Sequence, residues 1–414
     1  MQYGCIGEVL KHSFSAEIHA MLNSRPYELC EVAREDLDAF LRDRNFLGIN
    51  VTIPYKQAVL PYLAVTDPAA EQIGAVNTVV NREGRLFGYN TDFYGLQTLL
   101  GSLGADLTGK KVAILGTGGT SLTALAVAAT MGAGEILRVS RREGAGTVTY
   151  EELYRQHTDV GILINTTPVG MYPHPEEMPV DLSRFPALEA VADVVYNPLR
   201  TELVLDAQKR RIPAAGGLLM LTAQAVRASE IFTGTLYPEG TAERICRILT
   251  ERKETIVLEG MPGSGKTTVG RLLATVTGRT FVDLDEEIAK AVSASPAQII
   301  REQGEPAFRD IETEVLRETL ADLSGAVLAL GGGTVLRPEN VNMLRRNGRI
   351  YFLDRPVEKL LPTADRPLSA TREGLERRYQ ERRDIYLAAA DLRIPDPETP
   401  EAAVEIIRKD RKTE

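Results

Sequence analysis

The chain has 414 residues, of which 43% are hydrophobic and 25% are charged, and its formal net charge at pH 7 is −9. This length predicts two or three domains rather than a single core, and the composition is typical of soluble globular proteins. The acidic balance gives no general electrostatic attraction to nucleic acids or anionic membranes, so we expect neither as a partner.

The cysteines and histidines predict no disulfide framework and no zinc site. Cys5, Cys30 and Cys246 are far apart, which is typical of proteins from a reducing cytosol. His12 and His19 do not have the four-residue spacing of a helical zinc pair. The N-terminus lacks the basic and apolar regions of a secretory signal, and glycines interrupt the longest apolar stretch. We therefore expect a cytoplasmic protein without a membrane span.

Short strands alternate with helices along the first 250 residues. The strands are predicted at 3–6, 48–52, 76–80, 86–89, 111–115, 136–139, 162–165 and 191–196. The helices are predicted at 16–23, 121–131, 220–232 and 241–249. The alternation predicts an α/β fold, and the strand–turn–helix–strand order from 111 to 139 is that of a dinucleotide-binding unit.

A glycine-rich turn joins the strand at 111–115 to the helix after it. This turn contains Gly116, Gly118 and Gly119. Such glycines let the backbone approach the phosphates of a dinucleotide, and a plain tight turn is the alternative. The next strand ends in Ser140, Arg141 and Arg142. Arginine at this position matches the 2′-phosphate of NADP, whereas NAD would favour an acidic residue; the alternative here is a solvated basic turn.

Seven short motifs follow one another in the front of the chain. They are 12–15 (HSFS), 50–56 (NVTIPYK), 74–78 (GAVNT), 90–92 (NTD), 165–171 (NTTPVGM), 193–198 (DVVYNP) and 217–225 (GLLMLTAQA). On these motifs and their order, residues 1 to about 248 resemble the shikimate dehydrogenase family. The resemblance implies a substrate-binding domain at 1–100, completed by helices at about 220–249, and a Rossmann-like NADP-binding domain at 101–219.

The same resemblance implies roles for individual residues. Lys56 and Asp92 match the catalytic pair, and a lysine beside a carboxylate suits the proton transfer that accompanies reduction of a ketone to an alcohol. The implied substrate-binding residues are Ser13, Ser15, Thr52, Asn77, Tyr196 and Gln224. The implied cofactor-binding residues are Gly116, Gly118, Gly119, Ser140, Arg141, Arg142, Gly217 and Met220.

A polar run at 250–254 predicts a linker, with the solvated end of a helix as the alternative. A β-branched strand at 255–258 then leads into 260–268 (GMPGSGKTT), which has the G-x-x-x-x-G-K-[ST] spacing of a P-loop. In a P-loop the backbone wraps the nucleotide phosphates, the lysine reaches the β- and γ-phosphates, and the next hydroxyl ligates Mg²⁺. The predicted nucleotide-binding residues are Gly263, Ser264, Gly265, Lys266, Thr267 and Thr268.

Five further motifs follow the P-loop. They are 283–285 (DLD), 304–312 (GEPAFRDIE), 331–333 (GGG), 365–368 (DRPL) and 382–386 (RRDIY). On these motifs, residues 255 to about 395 resemble the shikimate kinase family. The resemblance implies that Arg309 and Arg382 bind the substrate carboxylate, although neighbouring arginines on the same run are alternatives to Arg382. It also implies that the backbone at Gly332 and Gly333 approaches the substrate closely.

The resemblance implies phosphoryl-transfer roles as well. Asp285 would contact the substrate and orient or deprotonate its hydroxyl group. Lys266 and Arg366 would bind the nucleotide and offset the charge of the transferring phosphoryl group. Thr267 and Asp283 are the implied Mg²⁺ ligands.

The two resemblances together predict a bifunctional α/β enzyme that uses NADP, ATP and Mg²⁺, with 255–414 as its P-loop kinase domain. The front half would reduce 3-dehydroshikimate with NADPH, and the back half would phosphorylate the resulting shikimate. One alternative is an NAD-using quinate/shikimate dehydrogenase fused to a small-molecule kinase. The other is a non-catalytic regulator that senses pathway metabolites. The expected partners are small-molecule substrates. The sequence does not determine whether the chain forms an oligomer.

Overall fold

In a computed structural model, the chain divides into two compact units, Met1–Cys246 and Arg247–Glu414. The structure describes residues 1–10, 14–22, 26–360 and 371–413. Within these ranges, no helix is both long and apolar enough to cross a membrane.

The N-terminal unit contains two sheets, and the first is mixed. Its strands are β1 (Tyr3–Gly7), β2 (Tyr27–Glu31), β3 (Gly48–Val51), β4 (Val65–Thr66), β5 (Thr78–Arg82) and β6 (Arg85–Tyr89), in the order β2-β1-β3-β5-β6-β4. The helices in this stretch are α1 (Ser15–Met21), α2 (Leu37–Asp43), α3 (Pro68–Ile73) and α4 (Thr91–Ser102). β1 pairs parallel with β2 and β3, whereas β5 pairs antiparallel with β3 and β6. Ile6, Ile49 and Val79 are fully buried, so the core lies against these middle strands.

Strand β2 and helix α4 have no counterpart among the predicted elements. No residue of β2 is fully buried, because this strand lies at the edge of the sheet and therefore lacks an apolar run. Gly95 and Gly101 weaken the helical pattern of α4. The helix forms nonetheless, since Asn90 caps it by accepting a hydrogen bond from Phe93 N at 3.2 Å.

The second sheet is parallel throughout its named strands. They are β7 (Lys111–Leu115), β8 (Glu135–Ser140), β9 (Val148–Thr149), β10 (Ile162–Asn165), β11 (Ala190–Asp193) and β12 (Ala214–Ala215). Its helices are α5 (Gly119–Thr130), α6 (Tyr150–Gln156), α7 (Glu202–Lys209) and α8 (Leu218–Thr233). The strand order β9-β8-β7-β10-β11-β12 is the doubly wound 3-2-1-4-5-6 arrangement. Ligands bind such sheets where the order reverses, here beyond the carboxyl ends of β7 and β10.

Several boundaries of these strands and helices differ from the predicted ones, and two of the differences have a clear structural consequence or cause. Helix α5 begins at Gly119 rather than at residue 121, so the glycine-rich turn runs into the first turn of the helix. Strand β11 ends at Asp193 rather than at Tyr196. The reason is that the buried Asp193 carboxyl accepts a hydrogen bond from Val195 N at 3.0 Å, which turns the backbone out of the sheet.

The C-terminal unit contains one parallel sheet. Its strands are β13 (Thr255–Glu259), β14 (Phe281–Asp283), β15 (Val327–Ala329), β16 (Gly348–Asp354) and β17 (Leu392–Pro395), in the order β14-β15-β13-β16-β17. The helices from residue 241 onward are α9 (Thr241–Lys253), α10 (Lys266–Thr277), α11 (Leu284–Val292), α12 (Pro296–Gln303), α13 (Glu305–Asp322), α14 (Pro338–Asn347), α15 (Arg372–Ala389) and α16 (Pro400–Thr413). Val257 packs with Tyr386 on one face of β13, and Leu258 packs with Leu273 on the other. Helices therefore cover both faces, and the P-loop follows the central strand.

Residues 250–253, predicted as a linker, form the last turn of α9, which corresponds to the alternative prediction of a helix end. Glu254, the next residue, is buried. Arg279 and Arg411 both donate hydrogen bonds to the Glu251 carbonyl oxygen, and Arg411 Nη1 lies 2.9 Å from Glu254 Oε2. These guanidiniums hold the turn in place because they satisfy carbonyl groups that a helix end leaves without a partner.

Candidate active sites

Lys56 and Asp92 form an ion pair beside the first sheet. Lys56 lies in the turn after β3, and Asp92 lies in the first turn of α4. Lys56 Nζ is 2.5 Å from Asp92 Oδ2, and the two side chains are only 16% and 10% exposed. The ammonium is therefore held against a carboxylate with little competing water.

Three buried polar side chains form a network next to this pair. Asn77 Nδ2 donates to Thr91 Oγ1 at 3.0 Å and lies 3.5 Å from Gln224 Oε1. Asn77 Oδ1 accepts a hydrogen bond from Thr91 N at 2.7 Å. Gln224 belongs to α8, so the structure brings two predicted substrate residues together from distant parts of the sequence. Thr91, which has no predicted role, completes the network; its place in the 90–92 motif is the signal in the sequence.

The other predicted substrate residues of this unit differ in their position and burial. Ser15 is buried at the start of α1, and Thr52 is partly buried after β3. Burial raises the pKa of Tyr196, and burial also raises the pKa of Cys5 to about 12. The ring of Tyr196 lies 5.4 Å from the ring of Phe14, the residue before Ser15. Ser13 lies outside the described residues.

A cleft of about 900 Å³ opens at the carboxyl ends of β7 and β10. It is lined by Lys56 and by the segments 116–120, 139–142 and 166–169, among others. A Cβ atom at Gly116 would lie 2.8 Å from Thr166 Oγ1, so packing requires glycine there. In contrast, a Cβ atom at Gly118 or Gly119 would meet no protein atom within 4 Å, and neither residue has a positive φ. These two glycines leave open space at the N-terminus of α5, where backbone N–H groups are available to a phosphate.

The remaining predicted cofactor residues take two different positions. Ser140 ends β8, and Arg141 and Arg142 follow it; all three line the cleft, and both arginines are exposed. Gly217 and Met220 are absent from the lining described for this cleft. A Cβ atom at Gly217 would lie 2.1 Å from the Val194 carbonyl oxygen, and Met220 is buried in the core beside α4 and α5. Packing therefore explains both of these residues.

The buried Asp193 organises the loops after β10 and β11. Its Oδ1 accepts a hydrogen bond from Asn165 Nδ2 at 2.9 Å, and its Oδ2 accepts one from Thr201 Oγ1 at 2.6 Å. Asn165 Oδ1 in turn accepts one from Thr167 Oγ1 at 2.7 Å. Burial raises the pKa of Asp193 to about 6, and these donors oppose that rise. The network fixes the 166–169 wall of the cleft, a function the sequence motif does not reveal.

The C-terminal unit has its own cleft, of about 730 Å³, at the carboxyl end of β13. Lys266 is buried there, and its Nζ donates to the carbonyl oxygens of Gly260 at 2.9 Å and Met261 at 3.0 Å. Thr267 Oγ1 donates to Asp283 Oδ2 at 2.9 Å. The structure thus brings the predicted lysine and both predicted metal ligands to one place.

The rest of the P-loop surrounds this place. Gly263, Gly265 and Thr268 line the cleft, and the two glycines have φ angles of 82° and 96° that favour glycine. Ser264 is buried within the loop and is not among the lining residues described. Arg366 lies outside the described residues.

Asp285 and the 331–333 turn approach each other closely across this cleft. Asp285 lies in the first turn of α11, and its backbone N–H donates to Asp283 Oδ1 at 3.1 Å. A Cβ atom at Gly331 would lie 2.9 Å from Asp285 Oδ1. A Cβ atom at Gly332 would lie 2.8 Å from Pro262 Cδ. Glycine at these positions therefore lets the carboxylate and the P-loop reach the turn.

A second group of cleft residues centres on Arg309. Its Nη1 donates to Glu312 Oε2 at 2.6 Å, and its Nη2 donates to Glu305 Oε1 at 2.9 Å. Glu312 is fully buried and also accepts a hydrogen bond from Thr334 Oγ1 at 2.7 Å. A Cβ atom at Gly333 would lie 2.1 Å from Arg309 Nη2, so glycine makes room for the guanidinium. Glu312 lines the cleft although it has no predicted role.

Helix α15 determines which of its arginines reach the cleft. Arg378 and Arg382 lie one turn apart, line the cleft and are 12% and 7% exposed. Arg382 Nη1 donates to the Gly332 carbonyl oxygen at 2.7 Å. Arg377 is 71% exposed, and Arg383 pairs with a carboxylate on β16. The sequence leaves open which arginine faces the cleft, and the structure places both Arg378 and Arg382 there.

Glu259, the last residue of β13, is a buried acid directly before the P-loop. It is 1% exposed, and within the described chain neither of its carboxyl oxygens has a hydrogen-bond partner. Burial raises its pKa to about 9; Lys266 and Arg345 lower it, and Asp391 raises it further. The side chain is therefore neutral at pH 7. It has no role predicted from the sequence.

Comparison with known proteins identifies both halves of the chain. The sequence model of the shikimate dehydrogenase substrate binding domain matches residues 5–79, and that of shikimate kinase matches residues 262–411. A shikimate dehydrogenase (NADP(+)) from Clostridium beijerinckii is 36% identical over 247 residues, which cover 56% of this chain and 91% of that protein. The chain belongs to the shikimate dehydrogenase family. Its C-terminal unit carries a shikimate kinase domain.

Solved structures give the same assignment for the front of the chain. Shikimate dehydrogenase 1 from Peptoclostridium difficile has a TM-score of 0.55 and 36% identity, covering 60% of this chain and 97% of that one. Shikimate 5-dehydrogenase from Thermus thermophilus, in complex with NADP(H) and shikimate, has a TM-score of 0.54 and 30% identity, covering 60% and 99%. The predicted family resemblances, the α/β fold and the enzyme class of both halves are thereby confirmed.

Proposed function

We propose that the chain is a bifunctional enzyme of the shikimate pathway. The N-terminal unit reduces 3-dehydroshikimate to shikimate with NADPH. The C-terminal unit transfers the γ-phosphoryl group of ATP to shikimate and forms shikimate 3-phosphate. The first activity is supported by the Lys56–Asp92 pair, which lies at a cleft with an open glycine turn. The second is supported by the P-loop, which lies beside an arginine-rich group.

In the reductase half, Lys56 acts at the oxygen atom of the ketone. Its ammonium donates a proton to that oxygen as the carbonyl becomes a hydroxyl, and Asp92 holds the ammonium in place and stabilises its charge. Asn77 and Gln224, with Thr52, bind the ring hydroxyls. Ser13, Ser15 and Tyr196 are the proposed contacts for the substrate carboxylate and ring.

Two observations support NADPH as the cofactor that binds in the cleft of this half. The space next to Gly118 and Gly119 at the α5 N-terminus suits a diphosphate group. The exposed Arg141 and Arg142 match the charge of a 2′-phosphate. When bound, this cofactor supplies the hydride. Curated relatives named for NADP(+) support the same choice.

In the kinase half, the P-loop region provides the groups that phosphoryl transfer needs. Lys266 offsets negative charge on the β- and γ-phosphates. Mg²⁺ fits the site because Thr267 and Asp283 supply hard oxygen donors side by side, and the ion would offset phosphate charge. Asp285 orients the acceptor hydroxyl and takes its proton.

The acceptor-binding side of the kinase cleft is the arginine-rich group. Arg309 and Arg382 bind the carboxylate of shikimate, and the backbone at Gly332 and Gly333 lies close to its ring. Arg366 is the proposed lid residue over the transferring phosphoryl group. Both halves therefore recognise the same acid, which is product of the first reaction and substrate of the second.

Steady-state assays of the intact chain test this proposal. We expect reduction of 3-dehydroshikimate with NADPH and phosphorylation of shikimate with ATP and Mg²⁺. The absence of either activity would refute the corresponding half of the proposal.

Cofactor preference is a separate test. The Arg141→Ala/Arg142→Ala variant should lose about 10-fold or more in kcat/KM for NADPH but little for NADH, because only NADPH carries the 2′-phosphate. If the wild type uses both cofactors equally well, an NAD-using dehydrogenase is the better assignment.

A further inference from the structure

Glu305 gathers three guanidiniums in the kinase unit. Arg309 Nη2 lies 2.9 Å and Arg382 Nη2 lies 3.5 Å from Glu305 Oε1. Arg378 Nη2 lies 3.8 Å from Glu305 Oε2. Glu305 is at the start of α13, whereas Arg378 and Arg382 are on α15. This carboxylate therefore links α13 to α15 through Arg378 and Arg382, and it also contacts Arg309 on its own helix.

The arginines and the glutamate differ in their relation to the cleft. All three arginines line it, with side chains 7–12% exposed, whereas Glu305 is absent from the lining residues described. The carboxylate thus contacts the guanidiniums from outside the cleft. A guanidinium has five N–H groups, so contact with Glu305 through one nitrogen atom does not prevent an arginine from also donating to a ligand in the cleft.

The charges of this group leave room for one anion. Arg309, Arg378 and Arg382 contribute three positive charges, and Glu305 and the fully buried Glu312 contribute two negative ones. Within this group of five side chains one positive charge is left, which is the charge that a monocarboxylate neutralises. Burial and the nearby Arg382 guanidinium lower the pKa of Arg378, whereas Glu305 and Glu381 raise it, and the arginine keeps its positive charge.

We infer that Arg378 is a third arginine that binds the carboxylate of the phosphoryl acceptor, and that Glu305 is the positioning residue that holds the three guanidiniums together. This inference rests on the proposed kinase function and specifies the acceptor as a monocarboxylic acid. Glu305 is needed because three like charges in one cleft repel each other, and a shared counter-charge fixes their directions.

The first test compares Arg378→Gln with Arg377→Gln, its exposed neighbour on the same helix. In the intact chain, Arg378→Gln should raise the KM for shikimate about 10-fold or more and leave the KM for ATP and kcat within about twofold. Arg377→Gln should change none of these values. An unchanged KM for shikimate in Arg378→Gln would overturn the role of Arg378.

A neutral acceptor shows whether the effect concerns the carboxylate. The wild type should prefer shikimate to its methyl ester, and Arg378→Gln should narrow this preference by lowering kcat/KM for the acid only. An equal loss with both acceptors would mean that Arg378 maintains the shape of the cleft instead, and would overturn the inference.

The second test uses Glu305→Gln, with the exposed Glu302→Gln as its control. Glu305→Gln should raise the KM for shikimate and leave the KM for ATP unchanged, and Glu305→Asp should recover part of the loss. The double variant Glu305→Gln/Arg378→Gln should lose less than the product of the two single effects, because both act through one group of charges. Multiplicative effects, or no change in Glu305→Gln, would overturn the positioning role.

Calorimetric titration of the intact chain with shikimate separates this inference from the proposed function. The dehydrogenase site is an internal control, since Arg378→Gln should weaken only the other site. A wild type that binds shikimate at an Arg378-dependent site but does not phosphorylate it would refute the kinase proposal alone. Binding unaffected by Arg378→Gln would refute the inference alone.

Discussion

Replacing Gly119 by alanine should separate cofactor binding from folding. Gly119 is the first residue of α5, its φ is not positive, and an added Cβ would meet no protein atom within 4 Å. Alanine there should raise the free energy of unfolding by about 0.4–1 kcal/mol, because it restricts the unfolded chain. The added methyl group would occupy the space in which we place the cofactor phosphates. Losing one charge-assisted hydrogen bond costs about 1.5–3 kcal/mol, so the KM for NADPH should rise roughly 10- to 150-fold.

Gly101→Ala is the matched control for this prediction. Gly101 is also helical, also has open space around its Cβ position, and does not belong to the cleft lining described. Chemical denaturation should show a similar stability gain in both variants, and steady-state assays should show the rise in KM only in Gly119→Ala. A Gly119→Ala enzyme with a normal KM for NADPH would refute the phosphate position. A strongly destabilised Gly119→Ala enzyme would refute the packing argument.

Three further predictions concern single residues. Lys56→Ala should lower the reductase rate roughly 10²- to 10⁴-fold and spare the kinase rate; near-normal reduction would reject its role as proton donor. Lys266→Ala should abolish phosphorylation and weaken ATP binding, whereas Asp285→Asn should abolish phosphorylation but spare ATP binding, as nucleotide titration would show; equal loss of ATP affinity would reject this division of roles. In the folded protein Glu259 keeps its proton up to about pH 9, whereas in the unfolded chain it loses the proton near the ordinary glutamate pKa of 4.5. Between these two pH values, Glu259 therefore lowers the free energy of unfolding as the pH rises. Glu259→Gln should therefore gain stability relative to the wild type between pH 5 and pH 8 in urea unfolding, and an equal pH dependence of both proteins would contradict the burial argument.

The buried parallel strands of the fold could be predicted from the sequence, and the edges could not. The strands at 111–115 and 162–165 have the predicted bounds, since each is a run of apolar residues buried on both faces. Strand β2 gives no such signal, because an edge strand is exposed along its length. The end of β11 depends on a hydrogen bond made by the Asp193 side chain, which no local pattern reveals.

For the candidate sites too, residues in local motifs could be predicted from the sequence, whereas residues placed by the packing of a helix could not. The P-loop and the Lys56 and Asp92 motifs are local in sequence, so their residue types and spacing point to chemistry directly. Arg377 and Arg378 are neighbours in sequence, but only the second reaches the cleft. The difference depends on how α15 is rotated against the sheet, which is set by buried residues such as Tyr386. The four-residue spacing of Arg378 and Arg382 was a usable signal, since such residues share one face of a helix.

The last turn of α9 affects where this polypeptide can be cut into two separate fragments. A kinase fragment that starts at Thr255 would lose the Glu251 carbonyl and the Glu254 side chain, which bind Arg279 and Arg411. Two guanidiniums that are mostly shielded from water would then lack these acceptors. The division between the two compact units falls within α9, and a stable C-terminal fragment should therefore carry the last turn of that helix as its own N-terminus.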